Sequence, residues 1–301
     1  MEENIIDELN RIFYPDSVAI IGASNERKFG RMFLEAFVDM EFEGKLYPVN
    51  PHEKEILGLK AYSSVKDIPS PVDLAIVATS PQVVPQVVEE CAEKGVKGVV
   101  IYTAGFSEIG TEGKKIEEEM VRIARAKGTR IIGPNCQGIY CPSSKLTIFP
   151  GLPKESGNVA FISQSGSLAT MLVLVGALKD IRFSKVISFG NGCDLNIADF
   201  LEYLWKDPET KIITAYIEGI KDGWKFLKLA REASKTKPII VWRGGVTDAG
   251  AKAAESHTGA LAVPNAMWKA FSKQCGIINT NSVEELFDCL LAFLHLPIPK
   301  G

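Results

Sequence analysis

The chain has 301 residues, of which 46% are hydrophobic and 24% charged, and its formal net charge is -3. That length suits two domains of ordinary size, each able to bury its own core. The balance is that of a soluble globular protein, and the slight acidity with scattered Lys and Arg excludes nucleic acid as a partner.

The opening MEENIIDELNRIF is acidic and amphipathic. It lacks the basic-then-apolar order of a secretory signal, so a cytoplasmic location is expected. No apolar run reaches the roughly 18 to 20 residues of a membrane-crossing helix, so no membrane partner is expected. Cys91, Cys136, Cys141, Cys193, Cys275 and Cys289 form no CxxC pair and have no matching His spacing. They read as buried free thiols, with no metal site.

Runs of Val, Ile and Ala then alternate with helical periodicity, the pattern of an α/β protein with parallel sheets. The first series predicts strands over 18–22, 45–50, 74–78, 98–103 and 130–133, with helices over 31–40, 81–94 and 113–126. The stretch 133–156, rich in Pro, Ser and Gly, reads as an irregular connection. A second series predicts strands over 158–163, 185–189, 212–217 and 238–242, and a last helix over 283–295. The prolines of LPIPKG cannot continue that helix, and the segment resembles a linker cut short. The expected division is a first domain over 1–140, a second three-layer domain over 141–295 and a truncated linker over 296–301.

In the first series, VAIIGAS at 18–24 puts Gly22, Ala23 and Ser24 where phosphates approach a helix N-terminus. A full GxGxxG is absent, since the next glycine is Gly30 and Arg27 and Lys28 intervene. The second strand ends in Asn50 rather than the carboxylate of an NAD site. Asn50 with Arg27 and Lys28 nearby tolerates a phosphorylated ribose, which favours coenzyme A over NAD. The turns Thr79-Ser80-Pro81 and Thr103-Ala104-Gly105 add small, hydroxyl-bearing groups at the same sheet edge. Each alone is an ordinary connection; together they favour a ligand site.

In the second series a strand runs into Ser163-Gln164-Ser165-Gly166-Ser167 and then a helix. Unpaired N–H groups of a first helical turn, with a Gly for close approach, bind anions, although Ser165 as a simple cap explains the same residues. Glu218 follows a strand and can orient an imidazole, although a glutamate opening a helix is the commoner explanation. His52 reads as an exposed turn residue and His295 as a favourable cation at a helix C-terminus. His257 stands in RGGVTDAGAKAAESHTGALA, a small-residue loop with no core periodicity, which favours a mobile, reactive histidine.

VAIIGAS, GPNCQGI at 133–139, ISQSGS at 162–167, YIEGI at 216–220 and ESHTGALA at 255–262 occur in one order. In this combination the chain resembles the NDP-forming acyl-CoA synthetases, relatives of succinyl-CoA synthetase alpha subunits, over about residues 10 to 295. The resemblance implies a Rossmann-like CoA-binding domain followed by a flavodoxin-like domain. It implies that His257 is phosphorylated, that Glu218 stabilises the phosphohistidine, that Ser163, Gln164, Ser165 and Gly166 bind phosphate, and that the Asn135 loop approaches the same site. The implied ligase reaction turns acyl-CoA, phosphate and ADP into acid, CoA and ATP through an acyl phosphate and phospho-His257. The substrates are acyl-CoA, phosphate and ADP, with Mg and the nucleotide on an ATP-grasp beta subunit or domain that this sequence lacks. An oligomer is expected. Cys193 in GNGCDLN and Val246 in RGGVTDAG depart from the family pattern, which bears on substrate choice. A swinging loop over 247–262 would carry His257 between sites. The alternative is a non-catalytic CoA- or nucleotide-sensing protein, which would have no need of His257 and Glu218. No cluster of charged or aromatic residues in the sequence announces the acyl group.

Overall fold

A computed structural model describes residues 4–245 and 265–296. Val246, the loop bearing His257 and the segment 297–301 lie outside the described residues. Helix α1 (Ile5–Phe13), capped by the Asn4 side chain, buries Leu9, Ile12 and Phe13. A parallel five-stranded sheet follows, built from β1 (Ser17–Ile21), β2 (Lys45–Val49), β5 (Leu74–Val77), β6 (Gly98–Ile101) and β7 (Arg130–Ile132). A small hairpin of β3 (Glu55–Ile56) and β4 (Leu59–Lys60) stands apart from it. Helices α2 (Phe29–Asp39), α3 (Val84–Lys94) and α4 (Thr111–Ala126) make the crossovers. Buried Val and Ile side chains fill both faces of β1, β5 and β6, as strands covered on both sides require.

The second sheet has β9 (Val159–Ser163), β10 (Phe183–Ser188), β11 (Ile212–Ile217), β12 (Ile239–Arg243) and β13 (Ile278–Thr280), all parallel. Its helices are α5 (Gly166–Leu178), α6 (Ile197–Lys206), α7 (Gly223–Ala233), α8 (Asn265–Cys275) and α9 (Val283–His295). One edge is closed by β8 (Gly138–Tyr140), antiparallel to β10. The stretch 133–156 is therefore not simply irregular: it carries this strand and a short 3-10 turn over Pro142–Ser144. Leaving the hairpin and β8 aside, both sheets run in the order second, first, third, fourth, fifth strand. Such sheets bind ligands where the order reverses, beyond the carboxyl ends of the first and third strands. Those points fall between β1 and β5 and between β9 and β11.

A seam joins the two sheets. The loop after β10 lies along β7: Asn191 N donates to Pro134 O (3.0 Å), Cys193 N to Gly133 O (2.9 Å) and Leu195 N to Ile131 O (3.2 Å). The Asp194 carboxylate, fully buried, accepts from Arg125, Arg130 and the Ile131 N–H. Glu108 and Glu117 both accept from the Asn191 amide. On the other side of the junction the rings of Phe13 and Tyr203 stack 4.8 Å apart. Among the described residues no helix is long and apolar enough to cross a membrane.

Candidate functional site

At the first reversal point a cleft of about 750 Å³ opens, lined among others by Gly22, Lys28, Asn50, His52, Thr79 and Ser80. Gly22 turns the chain at φ +89, and a Cβ there would lie 2.6 Å from the Ala78 carbonyl oxygen. Gly30, in the first turn of α2, touches the Gly22 carbonyl so closely that a Cβ would come within 2.0 Å of it. The pair Gly22 and Gly30 thus performs the tight turn and close helix packing that the missing fingerprint usually supplies. Asn50 Nδ2 donates to Ala23 O (2.7 Å), and its Oδ1 accepts from His52 N (2.9 Å), so this side chain ties two rims of the cleft together. Ser24 donates to Glu53 Oε1 (3.1 Å), whose carboxylate also accepts from Asn25 N (3.0 Å). Against the mild effect of burial, those donors hold Glu53 below the usual carboxylate range, the Asn25 backbone N–H foremost.

Placement differs from expectation at several residues. Of the two basic residues expected beside the cleft, Lys28 lines it and Arg27 is exposed on the loop. His52 is an exposed turn residue, as read from the sequence, and it also lines the cleft. Thr103 donates to Thr79 O (2.7 Å) and braces the turn from behind. Pro81 packs within 3.4 Å of where a Gly105 Cβ would stand. The Thr79 Oγ1 is buried in the cleft wall with no partner. A buried hydroxyl without a partner costs free energy, and a polar ligand atom in the cleft would relieve it.

The second reversal point carries a cavity of about 300 Å³. One wall is the start of α5: Gln164, Ser165, Gly166 and Ser167. The other comes from the first sheet's loops, with Tyr102, Ala104, Asn135 and Gln137. Ala104, read with the turns of the first sheet's cleft, lines the anion cavity instead, together with Asn135. Ser165 caps α5, its hydroxyl accepting from Leu168 N (3.4 Å). The first turn of a helix offers unpaired N–H groups and the positive end of the helix dipole, and the start of α5 lines the cavity. Ser163 departs from expectation: it is fully buried, and its hydroxyl donates to Ser165 O (2.7 Å) and accepts from Ser165 N (3.2 Å). Its hydroxyl thereby shapes the turn. Cys136 also lines the cavity, and burial pushes its thiol up to about 12, which disfavours the thiolate.

Glu218 sits just past β11, half-buried, in a loop that Gln164 holds: Gln164 Oε1 accepts from Glu218 N (2.5 Å) and Gly219 N (2.9 Å). It does not open a helix; α7 starts at Gly223, capped by Asp222. Tyr216 was not singled out by the motifs. Burial, then the Glu218 charge and its hydrogen bond, push the Tyr216 hydroxyl up to about 12. Residues two apart on a strand share a face, so the alternation in Tyr216-Ile217-Glu218 carried that signal. Gly244 leaves room for the pair: a Cβ there would lie 2.6 Å from the Tyr216 hydroxyl oxygen. Gln137 was also passed over; it accepts from Thr170 Oγ1, and its N–H donates to Ser188 Oγ (3.0 Å). Of the six free cysteines, Cys193 and Cys289 are only partly buried.

The same two units appear in known proteins. Residues 16–142 match the family described as "CoA binding domain", and residues 156–293 the one described as "Succinyl-CoA ligase like flavodoxin domain". The chain is 30% identical over 216 residues to the succinate–CoA ligase [ADP-forming] subunit alpha 2 of Archaeoglobus fulgidus, covering 69% of this chain and 71% of that one. The chain belongs to the NDP-forming acyl-CoA synthetase family, with its succinyl-CoA synthetase alpha-like members. The acetate–CoA ligase [ADP-forming] II subunit alpha of Pyrococcus furiosus is 48% identical over 295 residues, or 97% of this chain. Against that synthetase subunit the chain spans 64% of the length. A solved structure titled dinucleotide forming acetyl-coenzyme A synthetase 1 from Ca. Korarchaeum cryptofilum, in complex with phosphate and ADP, superposes with a TM-score of 0.91 at 41% identity, covering 97% of this chain and 64% of that one. The α/β architecture of a Rossmann-like unit followed by a flavodoxin-like one is the family's own.

Proposed function

We propose that this chain is the CoA-binding, phosphohistidine-bearing part of an ADP-forming acyl-CoA synthetase, an acid–CoA ligase that works with an ATP-grasp subunit or domain. The first unit, residues 1–140, would hold coenzyme A, and the second, residues 141–295, would carry the phosphoryl group. The observation that carries the reading is the anion cavity, whose helix start is faced by Asn135 and Gln137 and flanked by Glu218 on a loop pinned by Gln164.

Phosphate held on the N–H groups of Ser165 and Gly166 attacks the thioester carbonyl, the C–S bond breaks, and CoA thiolate leaves. The acyl phosphate then gives its phosphoryl group to a neutral His257 nitrogen and releases the carboxylate. Phospho-His257 passes the group to ADP, with Mg on the partner. The preorganised N–H groups meet the charge that develops on the phosphoryl oxygens. Glu218 accepts the other imidazole N–H and keeps the attacking nitrogen free, the part a carboxylate plays in nucleophilic triads. Lys28 and the unpartnered Thr79 hydroxyl suit the cleft to the phosphates and polar edges of coenzyme A.

The test is to incubate the chain and its ATP-grasp partner with ATP labelled at the γ-phosphate. Acid-labile label is expected on this chain, absent in His257→Asn and sharply reduced in Glu218→Gln. A sensing protein would bind CoA and leave His257 unlabelled; undiminished label in His257→Asn would end the assignment.

A further inference from the structure

Glu218 does not stand alone at its strand end. Tyr216, two residues earlier on β11, shares its face, and the Tyr216 hydroxyl hydrogen-bonds the Glu218 carboxylate. Burial foremost pushes that hydroxyl up to about 12, so at neutral pH it keeps its proton and acts as the donor. The ring is half-buried and meets Trp242 of β12 at 5.1 Å between centroids, with the planes at 66°. The backbone fixes the same residue: Tyr216 O accepts from Gln164 N (3.3 Å), and Tyr216 pairs with Trp242 in the sheet. Gly244, just past β12, closes the arrangement, its N–H donating to Ile217 O (2.9 Å). The three heavy atoms nearest a Cβ at Gly244 would be Tyr216 Oη at 2.6 Å, Tyr216 Cζ at 3.1 Å and Glu218 Cγ at 3.2 Å. A methyl group there has to displace the hydroxyl or the carboxylate arm.

We propose that Tyr216 is a positioning residue for phosphoryl transfer, its hydroxyl holding one oxygen of Glu218 so that the other is set to take the imidazole N–H of His257. This rests on the roles given to Glu218 and His257 under Proposed function. A carboxylate on a flexible arm loses rotamer freedom when it takes up a histidine, and a donor already in place removes that cost beforehand. A hydrogen bond to an ionised carboxylate is of the stronger kind, so a single hydroxyl suffices. The glycine at 244 keeps open the space in which the two side chains meet.

With the chain in complex with its ATP-grasp partner and ATP labelled at the γ-phosphate, rapid quench gives the rate of phosphohistidine formation, and calorimetry and thermal unfolding give CoA affinity and stability. Tyr216→Phe should slow the step by about tenfold, the worth of one charge-assisted hydrogen bond, and leave CoA affinity and unfolding as in wild type. In a Glu218→Ala background the same change should have no further effect, since a residue that acts through another adds nothing once that one is gone. Gly244→Ala keeps the hydroxyl but crowds it, so it should also slow the step, and adding Tyr216→Phe to it should cost less than in wild type. A wild-type rate in either single variant, or a Tyr216→Phe loss that recurs in full in Glu218→Ala, would overturn the positioning role while label on the wild-type chain keeps the synthetase reading. Absence of label on the wild-type chain would overturn both.

Discussion

Gln164 offers the sharpest perturbation, because one side-chain oxygen holds two backbone N–H groups of the loop that presents Glu218. In Gln164→Ala both donors lose their acceptor in a half-buried site. At about 1 kcal/mol each, the loss is about 2 kcal/mol. For a chain of this size that is a fall in Tm of roughly 4 °C. The catalytic effect is larger, since a carboxylate displaced by about 1 Å costs on the order of 100-fold in rate. Rapid-quench measurement of phosphohistidine formation with the ATP-grasp partner, beside thermal unfolding, reads both. Gln164→Glu keeps an acceptor oxygen but sets a charge beside the anion cavity, so it should unfold close to wild type and still phosphorylate slowly. If Gln164→Ala forms phosphohistidine within threefold of the wild-type rate, the claim that Gln164 positions Glu218 is wrong.

Three further outcomes follow from the packing. Gly22→Ala forces a Cβ to 2.6 Å from the Ala78 carbonyl at φ +89, so it should lose about 1–3 kcal/mol and weaken CoA binding, read by denaturant unfolding and calorimetry. Asp194→Ala leaves Arg130 without the buried carboxylate of the seam and should cost about 3 kcal/mol in the same unfolding assay. Burial pushes Lys237 down from 10.5 to about 8, its Nζ lying against the Leu204 and Asp207 carbonyls. The unfolded chain then binds the proton that the folded chain gives up between those two values. Stability relative to Lys237→Met should rise across pH 8 to 10.5, and a flat difference there would contradict it.

Strands were legible because buried parallel strands announce themselves as Val and Ile runs: β11 and α9 fall on their predicted bounds. β8 escaped because three residues among prolines make no run. The anion-binding turn was legible too, since a strand, a Ser-Gly turn and a helix are contiguous in sequence. What local pattern cannot carry is convergence. Ala104 follows a strand of the first sheet, so it reads as part of its cleft, yet the seam brings it against α5. The Phe29, Phe33 and Tyr102 cluster joins one helix to a strand end about seventy positions on, and nothing near any one of them signals the others. At Ser163 the sequence pattern does not show that the hydroxyl is engaged by its own backbone.

The strip from Asn191 to Leu195 that runs beside β7 does more than hold two sheets together. It makes one cavity wall the neighbour of the other by backbone pairing rather than by a tether, so prising the halves apart would break the backbone hydrogen bonds to Gly133, Pro134 and Ile131 along with the Asp194 ion pairs at one stroke. Opening like a book would therefore cost all of these contacts together.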